Sequence, residues 1–267
     1  MNVTDFLKFG EHKLEEASVP SSRLDVLILL EDCLGRDRAW LLAHPEIELT
    51  PNQKNKLLRQ LERRRSHEPL AYIRGFSEFY GRNFRVNRHV LEPRPESETM
   101  ISLLKKLSLP PNPHIADVGA GTGCLGITAG LEIVDAKVAM YEIDSGAIAV
   151  ARHNLHLHEL HIPIYKRDLL SRPADIYDVV LANLPYVPDG WKINKAAGAE
   201  PRIAIFGGKD GLSLYRRLFE QLEKLTWTPK FVLTEALPPQ HEKLATIANK
   251  HGFRLIKSDD FIQVFQS

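Results

Sequence analysis

Residues 114–123 read His114-Ile115-Ala116-Asp117-Val118-Gly119-Ala120-Gly121-Thr122-Gly123. Ile115, Ala116 and Val118 make a short apolar run of the length of a buried strand, and the glycines punctuate its end. Glycine tolerates left-handed backbone and lets a ligand come close to the main chain. In an open α/β sheet, ligands bind at this end of the strands. An acidic residue, Glu142, ends the next strand pattern 21 residues beyond Gly121. A carboxylate there can accept hydrogen bonds from both ribose hydroxyls of a nucleoside. The stretch therefore points to a doubly wound sheet with a nucleoside-bearing ligand. Gly121-Thr122-Gly123-Cys124-Leu125-Gly126 also fits the dinucleotide fingerprint of dehydrogenases, so the loop alone leaves a nicotinamide-dependent oxidoreductase open.

Outward from this loop the pattern alternates strand and helix. Strands are predicted at His114–Val118, Ala136–Tyr141, Ile162–Tyr165, Val179–Ala182 and Phe231–Thr234. Helices are predicted near Gly123–Leu131, Ala147–His156 and Gly211–Lys224. The end differs: Phe253–Lys257 and Phe261–Phe265 flank Ser258-Asp259-Asp260, a turn between two strands. A mostly parallel sheet finishing in an antiparallel hairpin resembles the class I methyltransferase architecture, a Rossmann-like α/β fold. That resemblance implies S-adenosylmethionine as the expected cofactor, with S-adenosylhomocysteine as its product. Asp117, ahead of the glycines, is placed to steer the cationic methionine end. Gly119, Ala120, Gly121, Thr122 and Gly123 form the cradle, and Glu142 takes the ribose. Asp168, with Leu169 beside it, is placed for the adenine amino group; a loop carboxylate or helix cap is an equal reading of Asp168.

A second stretch carries chemistry. Asp178-Val179-Val180-Leu181-Ala182 is an apolar strand ending in Asn183-Leu184-Pro185-Tyr186. A primary amide nitrogen is a poor nucleophile because its lone pair is delocalised into the carbonyl. The Asn183 side-chain oxygen and the Leu184 main-chain carbonyl can accept its two N–H bonds. Held so, the nitrogen can pyramidalise toward a methyl donor. Pro185 restricts Leu184 to extended backbone, and Tyr186 can wall the planar group. Asn183 also sits where it can touch the cofactor. No side-chain base is needed; positioning and polarisation supply the acceleration.

The first ~75 residues show a helical pattern and no strand pattern. Ser21-Ser22 is read as the cap of a helix with Leu24, Leu27, Leu30 and Leu34 as its apolar positions. Thr50-Pro51 with Gln53 has the form of a capping box. Phe76–Tyr80 and Asn83–Val86 alternate around Gly81 as a hairpin. Two prolines in Glu92-Pro93-Arg94-Pro95-Glu96 stiffen the chain, and a helix is predicted from about Glu96 to Lys106. The expected organisation is a helical domain over 1–74, a hairpin connector over 75–95 and a catalytic domain over 96–267.

Composition excludes several classes. The hydrophobic fraction of 43% and charged fraction of 26% are those of a globular protein. No run of about 18 apolar residues exists to span a membrane. Met1–Asp5 lacks the order of a secretory leader. Cys33 and Cys124 fall in different predicted domains, which fits reduced thiols and a cytoplasmic location. A net charge of +1 gives no global attraction to nucleic acid. Locally, residues 1–50 hold five Lys/Arg against ten Asp/Glu, and residues 51–90 hold ten against three. The second stretch is either a surface for an acidic partner or a solvated helix face. His153, His156, His158 and His161 crowd one helix end, but their spacing does not put three on one face, so no metal site is expected.

These motifs resemble the release-factor glutamine N5-methyltransferase family, and the resemblance runs over nearly the whole chain. Gly75–Gly81 with Phe84 and Val86 is similar to the family's hairpin connector. Glu92–Glu98 resembles its Pro-Arg-Pro-acidic signature, which places Arg94 and Pro95 with the substrate residues. Glu200–Gly211 followed by Tyr215-Arg216 is the most family-specific stretch. By that resemblance Asn183 to Tyr186 bind a glutamine of the Gly-Gly-Gln loop in peptide-chain release factors, and the helical domain binds the substrate protein. The enzyme is expected to be monomeric and without stable nucleic acid binding. Two departures bear on this. Leu184 replaces a family proline, giving Asn-Leu-Pro-Tyr, which is also carried by ribosomal RNA adenine dimethyltransferases; and Glu142 replaces an aspartate. Methylation of an exocyclic amino group in RNA or DNA, or of a ribosomal-protein glutamine, therefore stays open.

Overall fold

The apolar runs after residue 113 pair side by side in a computed structural model that describes residues 1–267. The chain divides into two compact units, residues 1–75 with 194–199, and residues 76–193 with 200–267.

The first unit holds α1 (Val3–Glu16), α2 (Ser22–Leu34), α3 (Arg38–Ala43), α4 (Pro51–Arg65) and α5 (Leu70–Arg74). Phe6, Leu14, Val26, Leu29, Leu30 and Leu57 meet in its core. Thr50 and Gln53 complete the capping box on α4. Ser21 makes no side-chain cap, and Ser22 Oγ instead donates to the Val19 carbonyl at 2.5 Å. Leu24 is exposed, not apolar core; the buried face of α2 carries Val26 and Leu29 beside Leu27 and Leu30. The unlike charge of residues 1–50 and 51–90 is partly cancelled within the unit. Arg64 donates to Asp25 at 2.6 Å with both side chains buried, and Arg74 grips Asp32 at 2.6 and 2.9 Å. Arg63 pairs with Glu68 and Arg65 with Glu62 at the surface. Asp25→Leu, which leaves the buried Arg64 charge without a carboxylate, is expected to lower the unfolding free energy by about 3–5 kcal/mol in urea denaturation. A loss under about 1 kcal/mol would mean that Arg64 finds water instead.

The second unit opens with the hairpin β1 (Phe76–Phe79) and β2 (Arg82–Arg85). A short 3-10 turn, Pro95–Ser97, leads into α6 (Glu98–Leu104). Then follow β3 (His114–Val118), α7 (Cys124–Glu132), β4 (Lys137–Glu142), α8 (Ser145–Leu157), β5 (Ile164–Lys166) and β6 (Val179–Ala182). The chain ends with α9 (Arg202–Ile205), α10 (Ser213–Glu223), β7 (Phe231–Glu235), α11 (His241–Lys250), β8 (Arg254–Asp259) and β9 (Ile262–Gln266). The seven strands run in the order β5-β4-β3-β6-β7-β9-β8. The first five are parallel, and β9 joins β7 and β8 antiparallel. This is the expected class I methyltransferase sheet.

Strand residues alternate between two cores. Ile115, Met140, Leu181 and Leu233 pack with α6 and α7 on one face. Ala116, Tyr141, Val180 and Val232 pack with α10 and α11 on the other. Burial on both faces is why these strands read as continuous apolar runs. Strand order reverses at β3, which opens a crevice at its carboxyl end beside β4 and β6.

Element ends differ from expectation for local reasons. Gly123 and Gly211 adopt φ of +79° and +78°, so α7 and α10 begin after them. Asp144 caps α8 by accepting from the Ala147 N–H, so that helix starts at Ser145. β4 runs one residue later at each end than predicted. The edge strand β5 is only three residues long and starts at Ile164, not Ile162. Asp259 pairs with Ile262, which puts the terminal turn at Asp260-Phe261. The helix predicted over 96–106 is shortened by the 3-10 turn and ends at Leu104. No helix is long and apolar enough to cross a membrane.

Candidate active site

The crevice encloses about 400 Å³ between the glycine loop, the ends of β4 and β6 and the start of α10. That lies in the range of small-molecule sites. Gly119, Gly121, Glu142, Asp168, Leu169, Asn183, Leu184 and Pro185 line it. Asp117, Ala120, Thr122, Gly123, Tyr186, Arg94 and Pro95 do not.

Glu142 holds the loop in place. One carboxylate oxygen accepts from the Gly121 N–H at 2.9 Å, and the other from Ile143 and Asp144 N–H at 2.7 and 2.9 Å. With two lone pairs on each oxygen, the one bonded to Gly121 keeps a single acceptor position for a ribose hydroxyl, while the other is filled by Ile143 and Asp144. The longer side chain, relative to aspartate, still closes onto the loop. Gly119 stands at φ +77°, and a Cβ there would lie 2.8 Å from Leu184 Cδ2. The leucine that departs from the family pattern is thus packed against the glycine loop. Its own N–H donates to Tyr215 Oη at 3.2 Å. Packing and this bond hold the loop where a second proline would have stiffened it.

Asp117 lies beneath the loop, 1% exposed, accepting from the Gly126 N–H at 2.8 Å. Burial pushes its carboxyl up to about 7, with the nearby Glu142 charge adding to the rise. Raised in the folded state, it favours folding fully below the unfolded value near 4 and loses that contribution as pH climbs through 7. Between pH 5 and 8, wild type should lose about 2 kcal/mol of unfolding free energy relative to Asp117→Asn, by urea denaturation. Parallel pH profiles would show that Asp117 titrates normally. Asp168 pairs with Arg217 at the cavity rim. Leu169, beside it, has the positive φ of +53°. Cys124 is buried and its thiol is pushed up to about 12 by burial, so it packs as an inert group.

At the end of β6, Asn183 Nδ2 donates to Ser97 Oγ at 2.9 Å and to Glu235 Oε2 at 3.0 Å. No donor of the chain reaches the Leu184 carbonyl oxygen. Tyr186 Oη donates to Glu235 Oε1 at 3.0 Å, and burial beside that carboxyl raises the phenol's pKa. The family-specific stretches turn out to support this loop. Arg94 pairs with the buried Glu200, which also accepts from the Glu92 N–H at 3.0 Å. Burial pushes the Glu200 carboxyl up against that pairing. Val187 exchanges main-chain bonds with Ile205 and Gly207 at 3.0 and 2.9 Å. Gln240 Nε2 donates to the carbonyls of Tyr186 and Asp210 at 2.8 and 2.9 Å.

The sequence reading missed His89, Arg167, Ile203 and Phe206 in the cavity wall, and Ser97, Tyr215 and Glu235 behind Asn183. An acid ending β7, one strand along from Asn183, was the available signal for Glu235. His158 packs on Phe84 and bonds the Asn83 carbonyl, and burial lowers its pKa.

Comparison with known proteins fixes the family. The chain is 37% identical over 217 residues to the release factor glutamine methyltransferase of Koribacter versatilis (strain Ellin345), covering 78% of this chain and 77% of that one. It belongs to that family. The release factor glutamine methyltransferase of Clostridium botulinum (strain Hall) is 28% identical over 263 residues, covering 95% and 93%. Residues 5–75 match the PrmC N-terminal domain and residues 97–200 the methyltransferase small domain. Ribosomal protein L11 methylase from Lactobacillus delbrueckii subsp. bulgaricus shares the fold, with a TM-score of 0.51 at 18% identity over 69% of this chain and 84% of that one. The chain is therefore an S-adenosylmethionine-dependent methyltransferase. Its cavity fits that cofactor: Glu142 keeps one acceptor position for a ribose hydroxyl, and the bare Cα of Gly121, where a Cβ would meet nothing nearer than 4.0 Å, leaves room against the loop.

Proposed function

We propose that this enzyme methylates the side-chain amide nitrogen (N5) of the glutamine in the Gly-Gly-Gln motif of peptide-chain release factors. The observation that carries the reading is an acceptor pair on the cavity wall. Asn183 gives both Nδ2 protons to Ser97 and Glu235, which leaves Oδ1 as its remaining polar atom, and the Leu184 carbonyl has no partner in the chain. Two acceptors and no donor suit an –NH₂ group.

When bound, S-adenosylmethionine supplies an electrophilic methyl group on a sulfonium. Asn183 Oδ1 and the Leu184 carbonyl take the two N–H bonds of the glutamine amide and orient its lone pair toward the cofactor side of the cavity. Pro185 keeps Leu184 extended. Leu184, packed against Gly119, sets the distance between the two halves of the site. As the nitrogen takes the methyl as its fourth bond, the methyl–sulfur bond would break with its electron pair left on sulfur, and one of the two N–H protons, made acidic by that bond, would pass to water. Gly119, Gly121, Glu142, Asp168 and Leu169 face the cofactor in this reading, and Ala120, Thr122 and Gly123 shape the loop from behind the cavity wall. Arg94 and Pro95 act through the Glu200 tie and the 3-10 turn, and the unit at 1–75 receives the substrate protein.

The test is transfer from labelled S-adenosylmethionine. A bacterial release factor should gain label on its Gly-Gly-Gln glutamine, located by mass spectrometry. Label on ribosomal RNA or a ribosomal protein, with the release factor untouched, would replace this reading.

A further inference from the structure

We propose that Glu235 is a positioning residue that decides which way round the Asn183 amide faces the cavity, a role that rests on the reading of Asn183 above. Glu235 ends β7, and the pairing of Ala182 with Thr234 sets it beside Asn183. It is fully buried, and the groups bonded to its carboxylate are neutral donors: Ser97 Oγ at 2.6 Å, Asn183 Nδ2 at 3.0 Å and Tyr186 Oη at 3.0 Å. A buried carboxyl without a cation is costly, and burial raises its pKa, opposed by those same bonds. The arrangement has one consequence for chemistry. Ser97 spends its proton on Glu235, so it meets Asn183 as an acceptor at 2.9 Å. Asn183 then faces two acceptors. Turned over, its Oδ1 would oppose a carboxylate and a hydroxyl lone pair with no proton between them. The carboxylate thereby keeps the amide oxygen toward the cavity and makes the site accept donors only. A glutamine amide, with two N–H bonds, fits; a glutamate carboxylate, with none, is rejected.

The test couples a kinetic cycle to a measurement that needs no substrate. Glu235→Leu should lower kcat/KM on the release factor by about 100-fold, the order expected for one lost oriented acceptor. Glu235→Gln, which keeps a side-chain oxygen for Asn183, should stay within about tenfold of wild type. In an Asn183→Ala background, Glu235→Leu should cost less than about threefold more, because both changes remove the same interaction. Independent, multiplicative losses would overturn the proposal. If Glu235→Leu does not fold, Ser97→Ala serves instead: about a fivefold loss in wild type and none in the Asn183→Ala background. Separately, in ¹⁵N-labelled wild-type protein the Asn183 side-chain amide protons should exchange at least about tenfold more slowly than those of an exposed asparagine, and Ser97→Ala should speed them. Fast exchange in wild type would also overturn the proposal. If wild type leaves the glutamine unlabelled, the proposed function fails, while the exchange rates still judge the role of Glu235.

Discussion

Replacing Asn183 by alanine is expected to lower methyl transfer by 10²–10³-fold, on the order of removing one preorganised polar group from a reaction site. The substitution deletes the only side-chain acceptor of the proposed pair and leaves the Leu184 carbonyl to hold the amide alone. A nitrogen held by one bond rotates, and the lone pair loses its direction. Cofactor affinity should move by no more than about tenfold in calorimetry, roughly 1.4 kcal/mol. The reason is the division of the cavity wall: the glycine loop and Glu142 lie at the ends of β3 and β4, whereas Asn183 ends β6. Folding stability should fall by about 1–2 kcal/mol, since Ser97 Oγ and Glu235 Oε2 each lose the buried donor they accept from. If cofactor binding collapsed along with transfer, Asn183 would belong to the cofactor site, and the glutamine would have to be held elsewhere.

The parts of the site that sequence made legible are those where one strand end carries its own chemistry. Asp117 to Gly123, Glu142 and Asn183 to Tyr186 each follow an apolar run, so their place at the carboxyl edge of the sheet follows from periodicity alone. What stayed hidden depends on partners far apart in the chain. Ser97 and Glu235 meet across 138 residues, and Arg64 and Asp25 across 39. No local pattern announces such pairs, and the arginine run therefore read as a free basic face although several of its members are paired. Asp117 shows the converse limit. Its acid stands where a cofactor contact is expected, yet the strand's alternation turns the side chain under the loop, where it bonds Gly126. The Glu200–Gly211 stretch was recognisable as a motif but gave no reason for its glycines. That reason appears only when residues 185–187 lie against it.

Those glycines carry the second large effect. Gly211 stands at φ +78°, and a Cβ on it would overlap the Tyr186 carbonyl oxygen and Gln240 Nε2, two atoms that bond each other at 2.8 Å. Gly211→Ala must therefore strain its backbone and also push the reaction loop off Gln240. A loss of at least about 3 kcal/mol is expected, combining left-handed strain with overpacking. That corresponds to a fall of roughly 6–12 °C in Tm for a chain of this size. Two other glycines separate the causes. Gly252 has φ +85° with open space around its Cβ position, so Gly252→Ala should show the backbone cost alone, about 1–2 kcal/mol. Gly190 has open space and no left-handed φ, so Gly190→Ala should stay within about 0.5 kcal/mol of wild type. Activity sharpens the contrast. At a temperature where all three variants are folded, only Gly211→Ala should lower transfer, because only its methyl displaces the carbonyl next to Pro185. Should Gly211→Ala behave like Gly252→Ala in both stability and rate, the loop is not seated on that glycine. The close approach between residues 185–187 and 207–211 would then contribute nothing to holding Asn183 in place.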